Sequence, residues 1–561
     1  MAAATARQVW ADVTDTLDSL STPRTATFAA SWTRAVAARG PATFLVFEGP
    51  DGHVHEWSYR RFDELVSRAA RRLADLGVAR GTSVHLVLAN SPGFVALWIA
   101  TTRLGAWIVP SDPMASAPEL AAHLDRTRPV VACCATDRTQ TYVDAVRLAK
   151  DAGLPAGPQL LRIDEADGAL DVFGARSIGV WPEVEPMERA AVMFTSGTTG
   201  RPKGVEITQA NYAFAGRTMA EAAGLEAWHR QLVVLPMFHA NAQYYSVASA
   251  IWVGASVALM HTFSASGFLA QAKRHAATHA SLFAAPIRMI LARGATPVPG
   301  LQLQHCWYAM NISDAQHRTL TGLLGCRPRQ LYGMTETVPA VLTDAQEAPV
   351  PSSMGFVTSG CSVDVQRADG TSTPPGEVGE IVVGGEPGIT LFAGYLDDPV
   401  TTGLSYRADT LGVRWFLTGD RAQRDAIGRF TFDGRRADVL KVAGENVSIV
   451  EVEQVLSAHP EVLEAAVVGR PDPVRDEVPV AFVVPADLSN PPTISELDDW
   501  CSQRLTKAKR PRDITLIDEL PRTSVGKIRK FLLRDPAAES VSAMNSTVSP
   551  TTGAKEDEVS A

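Results

Sequence analysis

The chain has 561 residues, of which 46% are hydrophobic and 20% are charged, and its formal net charge is -9. This composition is typical of a globular enzyme with more than one domain, because a single core rarely extends beyond about 250–300 residues. The acidic balance excludes the basic surface by which proteins bind nucleic acids.

The N-terminus and the cysteines indicate neither export nor a metal site. Residues 1–20 contain no long apolar core and carry Asp12, Asp15 and Asp18, so a signal peptide is not expected. The six cysteines form no Cys-x-x-Cys pair, which argues against a zinc site and a disulfide framework. The longest apolar runs are too short or interrupted to span a bilayer. We therefore expect a cytoplasmic protein.

The first half of the chain alternates helical and strand patterns. Apolar residues recur at helical spacing over Phe62–Leu73, and Val84–Leu88 and Gly105–Pro110 are typical of buried strands. Ser91-Pro92 predicts a helix start, since proline suits the first turn of a helix. This alternation predicts layered α/β structure with parallel strands.

The same alternation continues towards the middle of the chain. We predict strands at Gln231–Leu235, at Ser281–Ala285 and at Leu303–Ala309, with Pro286 ending the second of them. A helix is predicted over Ser264–His279, because Phe268, Leu269 and Ala272 share one side at helical spacing.

The pattern of predicted elements changes at about residue 355. Glycine- and proline-rich turns separate short strands up to residue 433, which predicts a β-rich subdomain at the end of an N-terminal domain of residues 1–433. Residues 434–438 are polar, contain a glycine and are predicted to form a hinge. A small, compact domain of helices and strands is expected over 439–536, and the polar tail 537–561 is predicted to be disordered.

A hydroxyl- and glycine-rich segment follows the apolar run Ala190–Phe194. It reads Thr195-Ser196-Gly197-Thr198-Thr199-Gly200-Arg201-Pro202-Lys203-Gly204. Backbone N–H groups, hydroxyls and an ammonium in such a loop can surround a polyphosphate. The order differs from the Gly-x-x-x-x-Gly-Lys-Ser/Thr loop, so it indicates phosphate binding of another kind. The alternative is an exposed hairpin or linker, since Ser, Thr and Gly are common in loops.

A second segment reads Tyr332-Gly333-Met334-Thr335-Glu336. Tyr332 offers a face to a purine ring, and Thr335 offers a hydroxyl to a phosphate oxygen. Glu336 offers the hard oxygen ligand that Mg²⁺ prefers in addition to substrate phosphates. Taken alone, however, Glu336 is typical of a solvated surface acid.

Three later segments carry groups that suit a nucleotide or a thiol. Asp420, in Thr-Gly-Asp, can accept hydrogen bonds from both ribose hydroxyls, although alone it is typical of a β-turn. Arg435 can add a second ribose or phosphate contact. Gly444 can let a thiol-bearing arm pass close to the backbone, but an ordinary glycine turn is equally consistent. Lys527, on a loop after a glycine, is in isolation a solvated charge.

Together and in this order, these segments resemble the adenylate-forming superfamily of acyl-CoA synthetases, peptide synthetase adenylation domains and luciferases. The resemblance extends from about Ala29 to Leu533. Within the superfamily, His239–Gln243, Asn311–Asp314 and Gly444–Val447 are similar to crotonobetaine/carnitine-CoA ligases and related acyl-CoA ligases. The resemblance implies a large N-terminal α/β domain of layered subdomains and a small mobile C-terminal α+β domain.

The resemblance also implies roles for individual residues. The ATP-binding set would be Thr195, Ser196, Gly197, Thr198, Thr199, Gly200, Lys203, Tyr332, Gly333, Met334, Thr335, Asp420 and Arg435. Thr195 and Glu336 would serve Mg²⁺, and Lys527 would be the mobile catalytic lysine. The substrate and CoA set would be His239, Asn241, Asn311, Lys441, Gly444 and Glu445. The chain departs from the family pattern at Ala437 in the hinge and at Ala443 before Gly444.

The predicted function is therefore ATP-dependent activation of a small or medium carboxylic acid as acyl-AMP, followed by transfer to CoA. ATP, Mg²⁺ and CoA are the implied cofactors and co-substrates, and the partners are small molecules. One alternative is an adenylating enzyme of a natural-product pathway, such as a diazotase that uses nitrite and an aromatic amine, or an acyl-AMP ligase without CoA. Another is a noncatalytic nucleotide-binding relative.

Overall fold

The computed structural model of the chain describes residues 25–166, 170–195, 202–346, 348–409, 412–435, 439–442, 445–472, 475–522 and 528–534. The chain divides into two compact units, Met1–Asp433 and Gly434–Ala561. The predicted tail 537–561 and residues 436–438 of the predicted hinge lie outside the described residues.

The first unit combines helices with three sheets. Its strands are, in chain order, β1 (Thr43–Glu48), β2 (Val54–Ser58), β3 (Ser83–Val87), β4 (Trp107–Ser111), β5 (Val131–Ala135), β6 (Gln159–Ile163), β7 (Arg189–Thr195), β8 (Lys203–Thr208), β9 (Arg230–Val233), β10 (Ser256–Met260), β11 (His279–Phe283), β12 (His305–Ala309), β13 (Arg329–Tyr332), β14 (Leu342–Thr343), β15 (Phe356–Val357), β16 (Ser362–Gln366), β17 (Val378–Gly384), β18 (Gly394–Tyr395), β19 (Tyr406–Ala408), β20 (Arg414–Arg424) and β21 (Phe430–Arg435). Its α-helices are Phe28–Arg39, Tyr59–Asp75, Pro92–Arg103, Ala117–Thr127, Thr139–Asp151, Gln209–Ala223, Ser249–Val253, Phe268–Arg274, Ala284–Ala292, Asp314–Leu324 and Pro399–Leu404.

The seven-stranded sheet has the order β18-β8-β7-β4-β3-β5-β6. Strands β7, β4, β3, β5 and β6 run parallel, whereas β8 and β18 join the edge antiparallel. Every residue of β3, β4 and β5 is buried, which explains why these strands are mostly apolar; their polar residues Ser83, His85 and Ser111 are buried too. The predicted phosphate loop connects two neighbouring strands of this sheet, β7 and β8.

The nine-stranded sheet has the order β15-β14-β13-β12-β11-β9-β10-β1-β2. Its centre, from β13 to β1, is parallel, and β14 and β2 pair antiparallel at the two sides. The helices Pro92–Arg103 and Gln209–Ala223 and residues of both large sheets share one hydrophobic core. The predicted layered α/β architecture is therefore confirmed.

The third sheet has the order β16-β17-β20-β19, and β21 also pairs with β20. The region 355–433 is rich in strands, as the sequence indicates. Two of its strands belong elsewhere, however: β15 extends the nine-stranded sheet and β18 extends the seven-stranded sheet. This segment therefore joins all three sheets of the first unit.

The second unit is a smaller α+β structure. Its strands are β22 (Val439–Val442), β23 (Glu445–Ser448), β24 (Val462–Asp472), β25 (Asp476–Pro485) and β26 (Asp513–Leu516), in the order β23-β22-β25-β24 with β26 beside β25. The helices Ile449–Ser457 and Ile494–Ser502 contribute to its core, and a 3₁₀ turn spans Lys530–Leu533. Over the described residues of the chain, no helix is both long and apolar enough to cross a membrane.

Two predicted elements differ from the structure. The helix predicted over Ser264–His279 spans only Phe268–Arg274, because Ala276 adopts a left-handed backbone with φ 47°. Pro286 does not end a strand: it lies in the first turn of the helix Ala284–Ala292. A proline is tolerated there, since the first-turn N–H groups have no partner within the helix.

Candidate active site

The two ends of the predicted phosphate loop lie side by side. Strands β7 and β8 pair antiparallel, and Thr195 at the end of β7 is directly opposite Lys203 at the start of β8. Both residues are half-buried. Lys203 and Gly204 therefore belong to a strand and not to the loop, unlike the prediction. Ser196 to Gly200 lie outside the described residues.

One arginine holds both flanks of this loop. The Arg126 guanidinium donates from Nη1 to the carbonyl oxygen of Pro202 at 2.7 Å and from Nη2 to that of Leu396 at 2.8 Å. The same guanidinium lies 5.3 Å from the centre of the Phe194 ring, which immediately precedes Thr195. The planar fork of arginine allows these contacts to form together.

A buried polar chain supports the other side of Phe194. The His123 ring stacks on Phe194 at 4.0 Å, and its Nδ1 lies 2.8 Å from Ser111 Oγ. Ser111 in turn contacts His85 Nε2 at 2.9 Å, and His85 Nδ1 contacts the Tyr142 hydroxyl at 2.8 Å. Burial lowers the pKa of His123 to about 4 and holds that of His85 well below its ordinary value. Both rings are therefore neutral near pH 7.

Tyr395 contacts both Lys203, at the start of β8, and Glu336, the predicted magnesium ligand. Its hydroxyl donates to Glu336 Oε1 at 3.1 Å, and Lys203 Nζ lies 4.8 Å from the centre of its ring. Glu336 is only 5% exposed, so it is not a solvated surface acid. Burial, and after it the charge of Glu336, raises the pKa of Tyr395. The phenol therefore stays protonated and keeps donating to the carboxylate.

Tyr332 and Asp420, predicted to hold the nucleoside, are in direct contact. The Tyr332 hydroxyl donates to Asp420 Oδ2 at 2.7 Å, and Asp420 is only 2% exposed on strand β20. The backbone N–H of Asp420 donates to Thr418 Oγ1 at 3.1 Å. The Tyr332 ring is also 6.4 Å from the Phe432 ring. An aromatic face and an acidic acceptor thus lie together, as binding of a nucleoside requires.

The segment between Tyr332 and Glu336 is closely packed. A Cβ on Gly333 would lie 2.8 Å from Ala340 Cα and 2.9 Å from the carbonyl oxygen of Pro339, so this approach requires glycine. The Met334 N–H donates to Thr337 Oγ1 at 2.9 Å. Thr335 is half-buried between these fixed residues.

The residues predicted to lie beside the acyl group begin with His239, six residues after the end of strand β9. The His239 ring packs edge-on against Phe283 at 5.6 Å, and its Nδ1 accepts from the backbone N–H of Asn241 at 3.3 Å. Asn241 is buried and begins a π-helix, Asn241–Ala248. Asn311 follows strand β12, where its carbonyl oxygen accepts from Arg288 Nη2 at 3.1 Å.

The remaining predicted site residues belong to the second unit. Lys441 and Glu445 lie on the paired strands β22 and β23 of the second unit. Arg435 is exposed at the end of β21. Gly444 and Lys527 lie outside the described residues. Their roles stay predictions.

Three side chains near the predicted site were missed by the sequence analysis: Arg126, His123 and Tyr395. Arg126 lies 76 residues before its partner Pro202, and Tyr395 lies 59 residues after Glu336. Their local sequences carry no phosphate- or metal-binding pattern. The sequence offered one indication of Arg126 and His123: Phe194, directly before Thr195, is an aromatic residue that other side chains must pack against.

The donor set fits a magnesium–nucleotide complex better than a resident metal. Groups of three or more His, Cys, Asp or Glu that could hold an ion are absent among the residues that the structure describes. Mg²⁺ bound with substrate phosphates needs only one or two carboxylates from the protein. The buried carboxylate of Glu336, beside the Lys203–Tyr395 pair, meets that requirement.

Comparisons with known proteins identify the family of the chain. The AMP-binding enzyme family matches residues 32–396, and the AMP-binding enzyme C-terminal domain matches residues 451–527. A crotonobetaine/carnitine–CoA ligase from Salmonella enteritidis PT4 (strain P125109) is 31% identical over 516 residues, covering 90% of this chain and 98% of the relative.

Solved structures share the fold. The anthranilate CoA ligase AuaEII in complex with anthranoyl-AMP has a TM-score of 0.81 at 24% identity, covering 94% of this chain and 99% of its own. A benzoate CoA ligase from Burkholderia xenovorans LB400 has a TM-score of 0.80 at 23% identity, covering 91% and 100%. The match over both parts of the sequence shows that the chain belongs to the family of AMP-binding, adenylate-forming enzymes, among its acyl-CoA-ligase-like members.

Proposed function

We propose that this chain is an ATP-dependent ligase that activates a small or medium carboxylic acid as acyl-AMP and then transfers the acyl group to CoA. The observation that carries the proposal is the convergence of two pairs, Tyr332–Asp420 and Tyr395–Glu336, at the two ends of the closely packed Gly333 segment. The first pair suits a nucleoside and the second suits a magnesium-bound phosphate. The proposal places the reaction in the cytoplasm, where ATP and CoA are available.

In the first step, a carboxylate oxygen of the acid attacks the α-phosphorus of ATP. The bond to the bridging oxygen breaks, and pyrophosphate leaves with its electron pair. Both reactants are anions, so catalysis requires positive charge placed in advance. Lys203, held at the mouth of the β7–β8 hairpin beside Tyr395, would contact the phosphates. Glu336, with Thr195, would hold Mg²⁺, which supplies charge neutralisation when bound.

In the second step, the CoA thiolate attacks the acyl carbonyl, and AMP leaves with the former carboxylate oxygen. We place His239 beside the acyl group, because its ring is fixed edge-on by Phe283. Lys441, Gly444 and Glu445 are proposed to serve this step from the second unit. Residues 434–438 are proposed as the hinge about which residues 439–536 move between the two half-reactions.

The experiment is a screen of AMP release from ATP over a panel of carboxylic acids, with and without CoA. We expect acid-dependent exchange of pyrophosphate into ATP without CoA, and net AMP formation that requires CoA. AMP release that depends on nitrite and an arylamine would replace CoA transfer by diazotisation. Absence of pyrophosphate exchange with every acid would indicate a noncatalytic relative.

Lys527→Ala separates the two steps. Removal of a preorganised charge typically costs about 10²–10³ in rate, so pyrophosphate exchange should fall by at least about a hundredfold. Thioester formation from supplied acyl-AMP should remain near the wild-type rate. Exchange at the wild-type rate in this variant would refute the role of Lys527 in adenylation.

A further inference from the structure

Three buried polar side chains lie on one side of the nine-stranded sheet, and one of them, Asn241, already belongs to the substrate and CoA set that the resemblance implies. Ser281 on β11 and Trp307 on β12 are direct partners in the parallel register, so both side chains leave the same face. Phe283 follows Ser281 by two residues on that face, and it contacts His239. The π-helix that begins at Asn241 packs against β9 and β11. Asn241, Ser281 and Trp307 are called the polar set below.

Each member of the polar set is buried and has side-chain polar atoms that make no hydrogen bond with the described residues. Asn241 and Trp307 are 2% exposed and Ser281 is 4% exposed. Within the described part of the chain, neither amide atom of Asn241 makes a hydrogen bond, nor do Ser281 Oγ and Trp307 Nε1. Most buried polar side chains are hydrogen-bonded, and each exception requires an explanation.

Two neighbouring buried polar groups are satisfied by the protein itself. Gln243, on the same π-helix, donates from Nε2 to the carbonyl oxygen of Met237 at 2.6 Å, and its Oε1 accepts from the Tyr212 hydroxyl. Tyr308, next to Trp307 but on the opposite face of β12, donates to the carbonyl oxygen of Pro351 at 3.2 Å. The protein thus satisfies these two groups, whereas the polar set and His305 Nε2, two residues before Trp307 on the same face of β12, make no hydrogen bond among the described residues.

The polar set adjoins the candidate adenylation site. Tyr245 lies one turn along the π-helix from Asn241, and its hydroxyl oxygen is 3.0 Å from where a Cβ on Gly333 would stand. Tyr245, Trp307 and Ala240 belong to the same core cluster. The π-helix thus connects the polar set to the Tyr332–Gly333 segment, and a molecule bonded to Asn241 would have its carboxyl end within reach of that segment.

We propose that Asn241, Ser281 and Trp307 recognise the acyl part of the substrate, and that this acid carries an uncharged hydroxyl or carbonyl oxygen. The inference rests on the proposed ligase function and names its substrate class. Trp307 Nε1 can only donate, so it requires an acceptor atom on the acid. Ser281 and the Asn241 amide can each donate and accept, which suits a hydroxyl or a carbonyl.

The chemistry of the polar set also disfavours a charged tail. None of its three side chains ionises near neutral pH. His279 and His305, on the same face of β11 and β12, are neutral as well, because burial lowers the pKa of His279 to about 4 and that of His305 well below its ordinary value. A quaternary ammonium group offers no acceptor to Trp307 Nε1 and finds no carboxylate in this set, so only the ring face of Trp307 could attract it.

The test uses pairs of acids that share one carbon skeleton and differ only by a hydroxyl or carbonyl oxygen. Pyrophosphate exchange is measured with the full-length protein and with Asn241→Leu, Ser281→Ala and Trp307→Phe. A buried polar site rejects an analogue that leaves it unpaired by up to about 10⁴–10⁵-fold, so we expect a preference of at least about a hundredfold for the oxygen-bearing acid. Asn241→Leu should reduce this preference at least tenfold. Tyr308→Phe is the matched control on the opposite face and should keep it.

Two results would overturn the inference. One is wild-type exchange with the hydrocarbon acids that equals exchange with their oxygen-bearing partners. The other is a preference that all three variants retain, since ordered water would then satisfy the polar set. Ser281→Ala removes a single oxygen atom and keeps the test valid if Asn241→Leu does not fold. No exchange with any acid would instead overturn the proposed function, and this inference with it.

Discussion

Arg126 offers a sharp test of how the phosphate loop is held. Its guanidinium bonds to the carbonyl oxygens of Pro202 and Leu396 at 2.7 and 2.8 Å and covers the ring of Phe194. Hydrogen bonds from charged groups contribute about 1.5–3 kcal/mol each when buried, and partial exposure reduces this to about 1 kcal/mol each. Arg126→Ala should therefore cost about 2 kcal/mol of loop anchoring, equivalent to about thirtyfold in binding.

The assay is pyrophosphate exchange as a function of ATP concentration. We expect the KM for ATP to rise about ten- to thirtyfold with a smaller change in kcat, because the role proposed for the loop is to bind the phosphates of ATP. Arg126→Lys keeps the charge without the fork and should recover part of the loss. Thioester formation from supplied acyl-AMP should not change.

Arg147→Ala is the matched control for Arg126→Ala, since Arg147 lies on the next helix and pairs only with Asp144 among the described residues, at 3.3 Å. This control should leave the KM for ATP at the wild-type value. A KM for ATP in Arg126→Ala within twofold of wild type, in a protein with an unchanged melting temperature, would refute the anchoring argument.

Three further predictions follow from packing and charge. Tyr395→Phe removes the donor to Glu336 and should weaken the use of Mg·ATP by about tenfold in a magnesium titration, the effect of losing about 1.5 kcal/mol; an unchanged titration would contradict it. Gly333→Ala places a Cβ 2.8 Å from Ala340 Cα and should lower the free energy of unfolding by about 1–3 kcal/mol, whereas Gly322→Ala, with open space around it, should not. Burial lowers the folded-state pKa of His279 to about 4, so the unfolded chain binds this proton first as pH falls. About 3 kcal/mol of stability should be lost between about pH 6.5 and pH 4, and His279→Gln should flatten that slope in urea titrations; an equal slope in both proteins would refute it.

Sequence reasoning located the segments of the candidate site better than it located their contacts. Thr195, Tyr332 and Asp420 stand in recognisable short motifs. In the structure Thr195 and Tyr332 end strands of the two large sheets, whereas Asp420 lies within β20 of the third sheet. The bond between Tyr332 and Asp420 joins residues 88 apart, and no local pattern encodes such a distance. Tyr395 was missed for the same reason: it lies 59 residues from Glu336, and the sequence around it contains no metal- or phosphate-binding motif.

Two features were not predicted correctly: the strand that includes Lys203, and the polar set as a group. Lys203 was assigned to a loop because Gly and Pro surround it, but pairing with β7 extends the strand to include it. Of the polar set, only Asn241 was predicted, as a substrate or CoA residue. Ser281 and Trp307 come from separate segments that only the register of β11 and β12 and the packing of the π-helix bring to one face with it. Side chains such as Trp307 are more often part of a core, and only their unmet hydrogen bonds distinguish them.

The central claim is that a carboxylate attacks the α-phosphorus of ATP at the site between Tyr332 and Glu336. The most direct test supplies an accepted acid labelled with ¹⁸O in its carboxylate, together with ATP and CoA, and analyses the products by mass spectrometry. The account predicts one ¹⁸O atom in AMP and none in pyrophosphate. Label in pyrophosphate or inorganic phosphate, or AMP without label, would contradict it.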